Sequence, residues 1–156
     1  MIEPTAPIRV LFVCTGNSAR SQFAEAILGR LGGPDFEVFS AGTHHGSVNP
    51  LTVRTLAVIG IDWSGARSKS VTEFLDQSFD YVITVCDQAR EACPVFPGGH
   101  ESIHWGFDDP AAAQGTEAER LAVFRRVLGE INLRIKPFVP AARRAHGRLP
   151  TAGAPG

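Results

Sequence analysis

Short apolar runs alternating with stretches of helical spacing constrain this chain more than any other feature of its sequence. Ile8-Arg9-Val10-Leu11-Phe12-Val13 reads as a buried strand. Phe36-Glu37-Val38-Phe39-Ser40, Tyr81-Val82-Ile83-Thr84-Val85 and Ser102-Ile103-His104-Trp105 read as three more. After the first run, Phe23, Ala24, Ile27, Leu28 and Leu31 share one helical face, and Gly32-Gly33-Pro34 stops that helix. Asn49 is placed to cap a second helix, with Pro50 at its first position and Gly60 closing it. Ser70-Val71-Thr72-Glu73 and Thr116-Glu117-Ala118-Glu119 fit the capping-box pattern, in which a hydroxyl and a carboxylate each satisfy a free N–H. The last helix carries Leu121, Phe124, Leu128, Ile131 and Ile135, and Pro137 and Pro140 are expected to end it.

Strands alternating with helices predict right-handed crossovers, hence an α/β fold with a four-stranded parallel sheet and helices on both faces. The 156 residues suffice for one domain, expected over residues 1–140. Residues 141–156, rich in Ala, Gly, Arg and Pro, are expected to be a disordered tail. In such sheets ligands sit beyond the carboxyl ends of the strands. Cys14, Cys86 and Asp108-Asp109-Pro110 would all emerge at that edge.

Composition narrows the partners. The net charge is −1, and lysine occurs only at Lys69 and Lys136, so neither a nucleic acid nor a membrane surface is an expected partner. The sequence has no signal-peptide pattern and no apolar run of membrane-spanning length, so a cytosolic location is expected, and a monomer is the expected state. Three cysteines in a cytosolic chain do not suggest a structural disulfide framework, and no Cys-x-x-Cys or His-Glu-x-x-His spacing suggests a metal. Catalytic or redox use is the expectation that remains.

The string Cys14-Thr15-Gly16-Asn17-Ser18-Ala19-Arg20-Ser21 lies directly between a strand and a helix. A loop this short can turn its backbone N–H groups inward as a nest for an anion, here those of Thr15, Gly16, Asn17, Ser18 and Ala19. The helix dipole and the planar fork of Arg20 add to it. Such positive surroundings favour a thiolate at Cys14, the nucleophilic form, and Ser21 is placed to donate a hydrogen bond to it. The expected chemistry is attack of Cys14 on a tetrahedral oxyanion.

Three strings together, Cys14-Thr15-Gly16-Asn17-Ser18-Ala19-Arg20-Ser21-Gln22, Ser40-Ala41-Gly42 and His104-Trp105-Gly106-Phe107-Asp108-Asp109-Pro110-Ala111, resemble the thioredoxin-coupled arsenate reductases. Those enzymes share the low-molecular-weight protein tyrosine phosphatase fold, a flavodoxin-like three-layer sandwich. The likeness runs from Ile8 to Phe138. It implies that Cys14 attacks arsenate while Asp109, as general acid, protonates the departing oxygen. It further implies that Cys86 attacks Cys14 and releases arsenite, and that Cys93 then attacks Cys86. The resulting Cys86–Cys93 disulfide would pass to thioredoxin, with no tightly bound cofactor and no metal. Phosphate and sulfate would compete for the loop.

Where the phosphatases carry Tyr after the Asp-Pro, this chain has Ala111-Ala112-Ala113, so a phosphotyrosine pocket is poorly supported. A phosphatase also has no task for Cys86 and Cys93, and a non-catalytic oxyanion sensor would need neither these nor Asp109. Some family members have Cys at the position of Ala19, which is outside the relay. Some hold a monovalent cation behind the loop, and Lys69 is a candidate to replace it. His44 and His45 are expected in solvent, and His104 in a packing or hydrogen-bonding role. Asp87-Gln88-Ala89-Arg90-Glu91-Ala92 has helix-forming composition, and such a helix would have to unwind before Cys93 could reach Cys86.

Overall fold

The computed structural model describes residues 6–148. Four parallel strands, β1 (Ile8–Cys14), β2 (Phe36–Gly42), β3 (Tyr81–Thr84) and β4 (Glu101–His104), lie in the order β2-β1-β3-β4. Four α-helices follow them: α1 (Arg20–Gly32), α2 (Pro50–Val58), α3 (Asp87–Ala92) and α4 (Glu117–Ala145). β3 is buried along its whole length and β1 nearly so, as expected of central strands covered on both faces. β4 is the partly exposed edge.

Alternation along β2 sends Phe36 and Phe39 to opposite faces of the sheet. Phe36 packs with Tyr81 and Trp105 around Phe138 of α4, and Phe23 of α1 meets Phe124 of α4 edge to face. On the other face Phe39 packs with Phe74 and Phe79, and Phe79 with Phe96. α2 and α4 start on the side-chain caps their sequence offers, whereas α1 and α3 start on Ala19 and Cys86 with no side-chain cap. Asn49 accepts from the Leu51 N–H, and Thr116 and Glu119 form a reciprocal capping box. The Ser70–Glu73 box caps a single 3-10 turn, Val71–Phe74, rather than a longer helix.

The last helix differs from expectation. α4 runs through Pro137 and Pro140 to Ala145, so residues 141–145, expected in a disordered tail, are helical. The apolar register continues through Ile135, Val139 and Ala142, all buried, and both prolines sit on the exposed face. A proline removes only its own N–H, and the carbonyls left without it, those of exposed Leu133 and Lys136, can be hydrated. Arg143 then binds Asp35 at 2.9 Å and the Gly32 carbonyl at 3.0 Å, fastening the helix end to the α1–β2 turn. Residues 146–148 turn off the helix end, where Arg148 also reaches Asp35 at 3.2 Å, and residues 149–156 of the expected tail lie outside the described residues. Among the described residues no helix is long and apolar enough to cross a membrane.

Candidate active site

The carboxyl ends of β1, β3 and β4 present the three predicted site segments along one edge. Cys14 is the last residue of β1 and Arg20 the first of α1, so the loop between them closes within one strand–helix junction. Its carbonyls are held from outside. The oxygen of Cys14 accepts from the Thr43 N–H, that of Thr15 from His44, that of Gly16 from Gly46 and Ser68 Oγ, and that of Ser18 from Asn49 and Thr52 Oγ1. With the carbonyls turned outward, the N–H groups of Gly16, Ser18 and Ala19 have no protein acceptor among the described residues. Free N–H groups gathered at a helix N-terminus have the geometry to hold an anion.

Asn17 organises the loop from inside. It is fully buried and adopts φ 50°, a left-handed conformation that asparagine tolerates better than most residues. Its N–H donates to Cys14 Sγ at 3.1 Å. Its Nδ2 donates to Ser21 Oγ at 2.8 Å and to Ser40 Oγ at 2.9 Å, while its Oδ1 accepts from Gln22 Nε2 and the Lys69 N–H. Because Ser21 Oγ receives the Asn17 amide, its own proton is free for Cys14 Sγ, 2.8 Å away.

Behind the loop, Ser40 donates to Glu25 Oε1 at 2.5 Å, and the Lys69 ammonium lies 3.4 Å from that oxygen. Lys69 and Glu25 thus form a largely buried ion pair behind the loop. Gln22 also donates to the Arg67 carbonyl and accepts from Trp63 Nε1. The Arg67 guanidinium grips Glu73 with two bonds and holds that carboxyl down at about 2, pinning the strap over residues 67–70.

Two of these supports, Gly42 and Ser40, sit in the Ser40-Ala41-Gly42 string without having been predicted as site residues. A Cβ at Gly42 would lie 2.5 Å from the Thr15 carbonyl oxygen and 3.0 Å from the Asn17 nitrogen. Backbone cannot move aside as a flexible side chain can. Gly42→Ala is therefore expected to displace the nest and lower turnover on the order of 100-fold. Phosphate affinity, read by calorimetry, should fall with it; unchanged affinity would mean the loop does not depend on this close approach.

Arg20 turns its guanidinium toward the loop that follows β4. Nη1 donates to the Phe107 carbonyl at 3.1 Å, and Nη2 lies 3.9 Å from Asp109 Oδ2. Asp109 also caps the turn Pro110–Ala112, its Oδ1 accepting from the Ala111 N–H, so one oxygen is fixed and the other faces Arg20. Arg20, Cys86, Gln88, Phe107 and Asp109 line a cleft of about 490 Å³.

Cys86 adjoins the same loop, with its sulfur 3.3 Å from Thr15 Oγ1. Cys93 does not. It follows α3 and borders a separate cleft against β4. Burial pushes its thiol up to about 11. All three cysteines are free, and with α3 helical the seven-residue offset spans about 10 Å of helix axis, beyond disulfide reach.

A cysteine ringed by inward-facing N–H groups, with an arginine and a carboxylate opposite, is an arrangement suited to phosphatase-like chemistry. The chain belongs to the family described as low molecular weight phosphotyrosine protein phosphatase, which matches residues 9–146. It is 46% identical over 134 residues to a protein named arsenate reductase from Halalkalibacterium halodurans, covering 86% of this chain and 96% of that one. A thioredoxin-dependent arsenate reductase from Corynebacterium glutamicum superposes with TM-score 0.71 at 28% identity, covering 91% of this chain; this chain spans 65% of that one. A low molecular weight protein tyrosine phosphatase from T. tengcongensis superposes with TM-score 0.70 at 27% identity, covering 86% of this chain and 99% of its own. The expected fold is thus observed, and one architecture carries both chemistries among its relatives.

Proposed function

We propose that the chain reduces arsenate to arsenite, with Cys14 as nucleophile and a Cys14–Cys86–Cys93 relay recycled by thioredoxin. The observation that carries this reading is the position of Cys86, whose sulfur touches Thr15 of the anion loop, with Cys93 across one short helix. Hydrolysis of a phosphorylated cysteine needs water and an acid, and leaves these two thiols idle. Reduction needs them.

In the first step Cys14 Sγ bonds to arsenic as one oxygen departs, protonated by Asp109. The N–H groups of the nest and Arg20 hold the remaining oxygens. Cys86 then attacks Cys14 Sγ. The As–S bond breaks, its electron pair stays on arsenic as arsenite, and a Cys14–Cys86 disulfide forms. Cys93 attacks Cys86 Sγ, a Cys86–Cys93 disulfide forms, and Cys14 leaves as a thiolate. Thioredoxin supplies two electrons to reopen that disulfide, a cycle suited to the reducing cytosol.

The test is NADPH oxidation that depends on arsenate, thioredoxin and thioredoxin reductase together, run beside aryl phosphate hydrolysis. Hydrolysis without coupled oxidation would favour the phosphatase reading. Because arsenate and phosphate share shape and charge, phosphate is expected to compete for the same loop. Steady-state kinetics should give a pure KM effect; an effect of phosphate on kcat alone would argue against a shared site.

A further inference from the structure

His104, at the carboxyl end of edge strand β4, hydrogen-bonds side chains on two elements, the end of β3 and the start of α3. Its Nδ1 lies 2.7 Å from Thr84 Oγ1 at the end of β3, and its Nε2 lies 2.8 Å from Asp87 Oδ1. Thr84 is buried in the sheet, and the His104 side chain is only 20% exposed. Asp87, by contrast, is the first residue of α3, and its side chain is 91% exposed. An ionised carboxylate can only accept, so Nε2 carries the proton in that bond whether the ring is neutral or charged. In the neutral ring, Nδ1 then accepts from the Thr84 hydroxyl. A rigid sheet end thus holds the ring, and the ring holds the start of the segment linking Cys86 to Cys93.

We propose that Thr84, His104 and Asp87 form a latch that holds α3 in its helical dithiol state and so sets the reduction potential of the Cys86–Cys93 couple. The inference rests on the relay reading. Closing the Cys86–Cys93 disulfide brings the two Cα atoms within roughly 7 Å, which α3 cannot do while helical. Asp87 directly follows Cys86, so unwinding turns its backbone and carries Oδ1 off the ring. An interaction present in the dithiol and absent from the disulfide favours reduction. His104 is a positioning residue in this scheme. It acts on the cysteines through Asp87 and touches no reacting atom.

The test uses the full chain carrying Cys14→Ser, which leaves Cys86 and Cys93 as the only thiols. Its disulfide is equilibrated with reduced and oxidised dithiothreitol. The enzyme disulfide gains two electrons and two protons as dithiothreitol closes to its ring, and mass spectrometry after alkylation reads the ratio. Asp87→Ala is expected to favour the disulfide about threefold, which is ~14 mV more negative at 29.6 mV per tenfold. His104→Gln should shift it in the same direction, and the double variant should add little to either. Asp87→Asn, which keeps an acceptor for Nε2, should recover part of the shift.

Asp87 also sits in the first turn of α3, where its charge favours the helix dipole. That effect is independent of His104, so additive shifts in the double variant would overturn the latch, as would unchanged potentials. If His104→Gln does not fold, Thr84→Val replaces it in the cycle, since it removes the hydroxyl that fixes the ring. Failure of the parent protein to form any Cys86–Cys93 disulfide would instead overturn the relay and the latch with it.

Discussion

Replacing Cys14 with serine is expected to abolish arsenate reduction and aryl phosphate hydrolysis together, by on the order of 10⁴-fold or more. Both reactions begin with the same sulfur bonding to the central atom, and a serine hydroxyl beside Arg20 has no base in contact to activate it. The donors that serve Cys14 Sγ, the Asn17 N–H and the Ser21 hydroxyl, would serve a serine oxygen equally. The nest itself is built from backbone N–H groups, so phosphate should still bind within a few-fold of wild type. Rapid-quench turnover and phosphate calorimetry on the same variant separate the two effects. Activity near wild type would remove Cys14 from its role, and loss of phosphate binding would mean that it supports the loop rather than attacks.

Much of this site is legible in the sequence because local chemistry encodes it. An apolar run, a glycine-containing loop and an amphipathic helix determine where Cys14 and Arg20 stand, and the caps at Asn49, Ser70 and Thr116 are written in neighbouring residues. What is not legible depends on distance along the chain. Trp63, through Gln22, and the strap at 67–70 support Asn17 from up to 52 positions away, and no spacing rule connects them. Gly42 matters because β2 pairs in register with β1, Cys14 beside Gly42, which brings its backbone under the loop. The prolines of α4 mislead for the opposite reason. Local propensity argues for a stop, while burial of Val139 and Ala142 and the Arg143–Asp35 bond hold the helix together through them. His104 is expected in a packing or hydrogen-bonding role; the structure gives it the second, with partners that become visible only when β3, β4 and α3 converge.

Replacing Cys93 with serine is expected to stop multiple turnover with thioredoxin while leaving aryl phosphate hydrolysis intact. Cys93 lies outside the anion loop, past the far end of α3, so the variant leaves the Cys14, Arg20 and Asp109 geometry alone. One arsenate should still be reduced per chain, trapping a Cys14–Cys86 disulfide that peptide mapping would identify. The wild-type step that follows should depend on pH in a defined direction. Burial raises the Cys93 thiol from its ordinary 9.0 to about 11 in the helical form. The helical segment therefore keeps its proton where an opened segment would lose it. By linkage, the stability this confers on the helix is whole below pH 9 and is lost as pH rises toward 11. Alkaline pH should favour opening of α3 and speed closure of the Cys86–Cys93 disulfide in single-turnover experiments. The serine variant has no such ionisation, and opening of α3 should lose that pH dependence. Unimpaired cycling with thioredoxin in Cys93→Ser would sink the relay, because no other cysteine in the chain could resolve the Cys14–Cys86 disulfide.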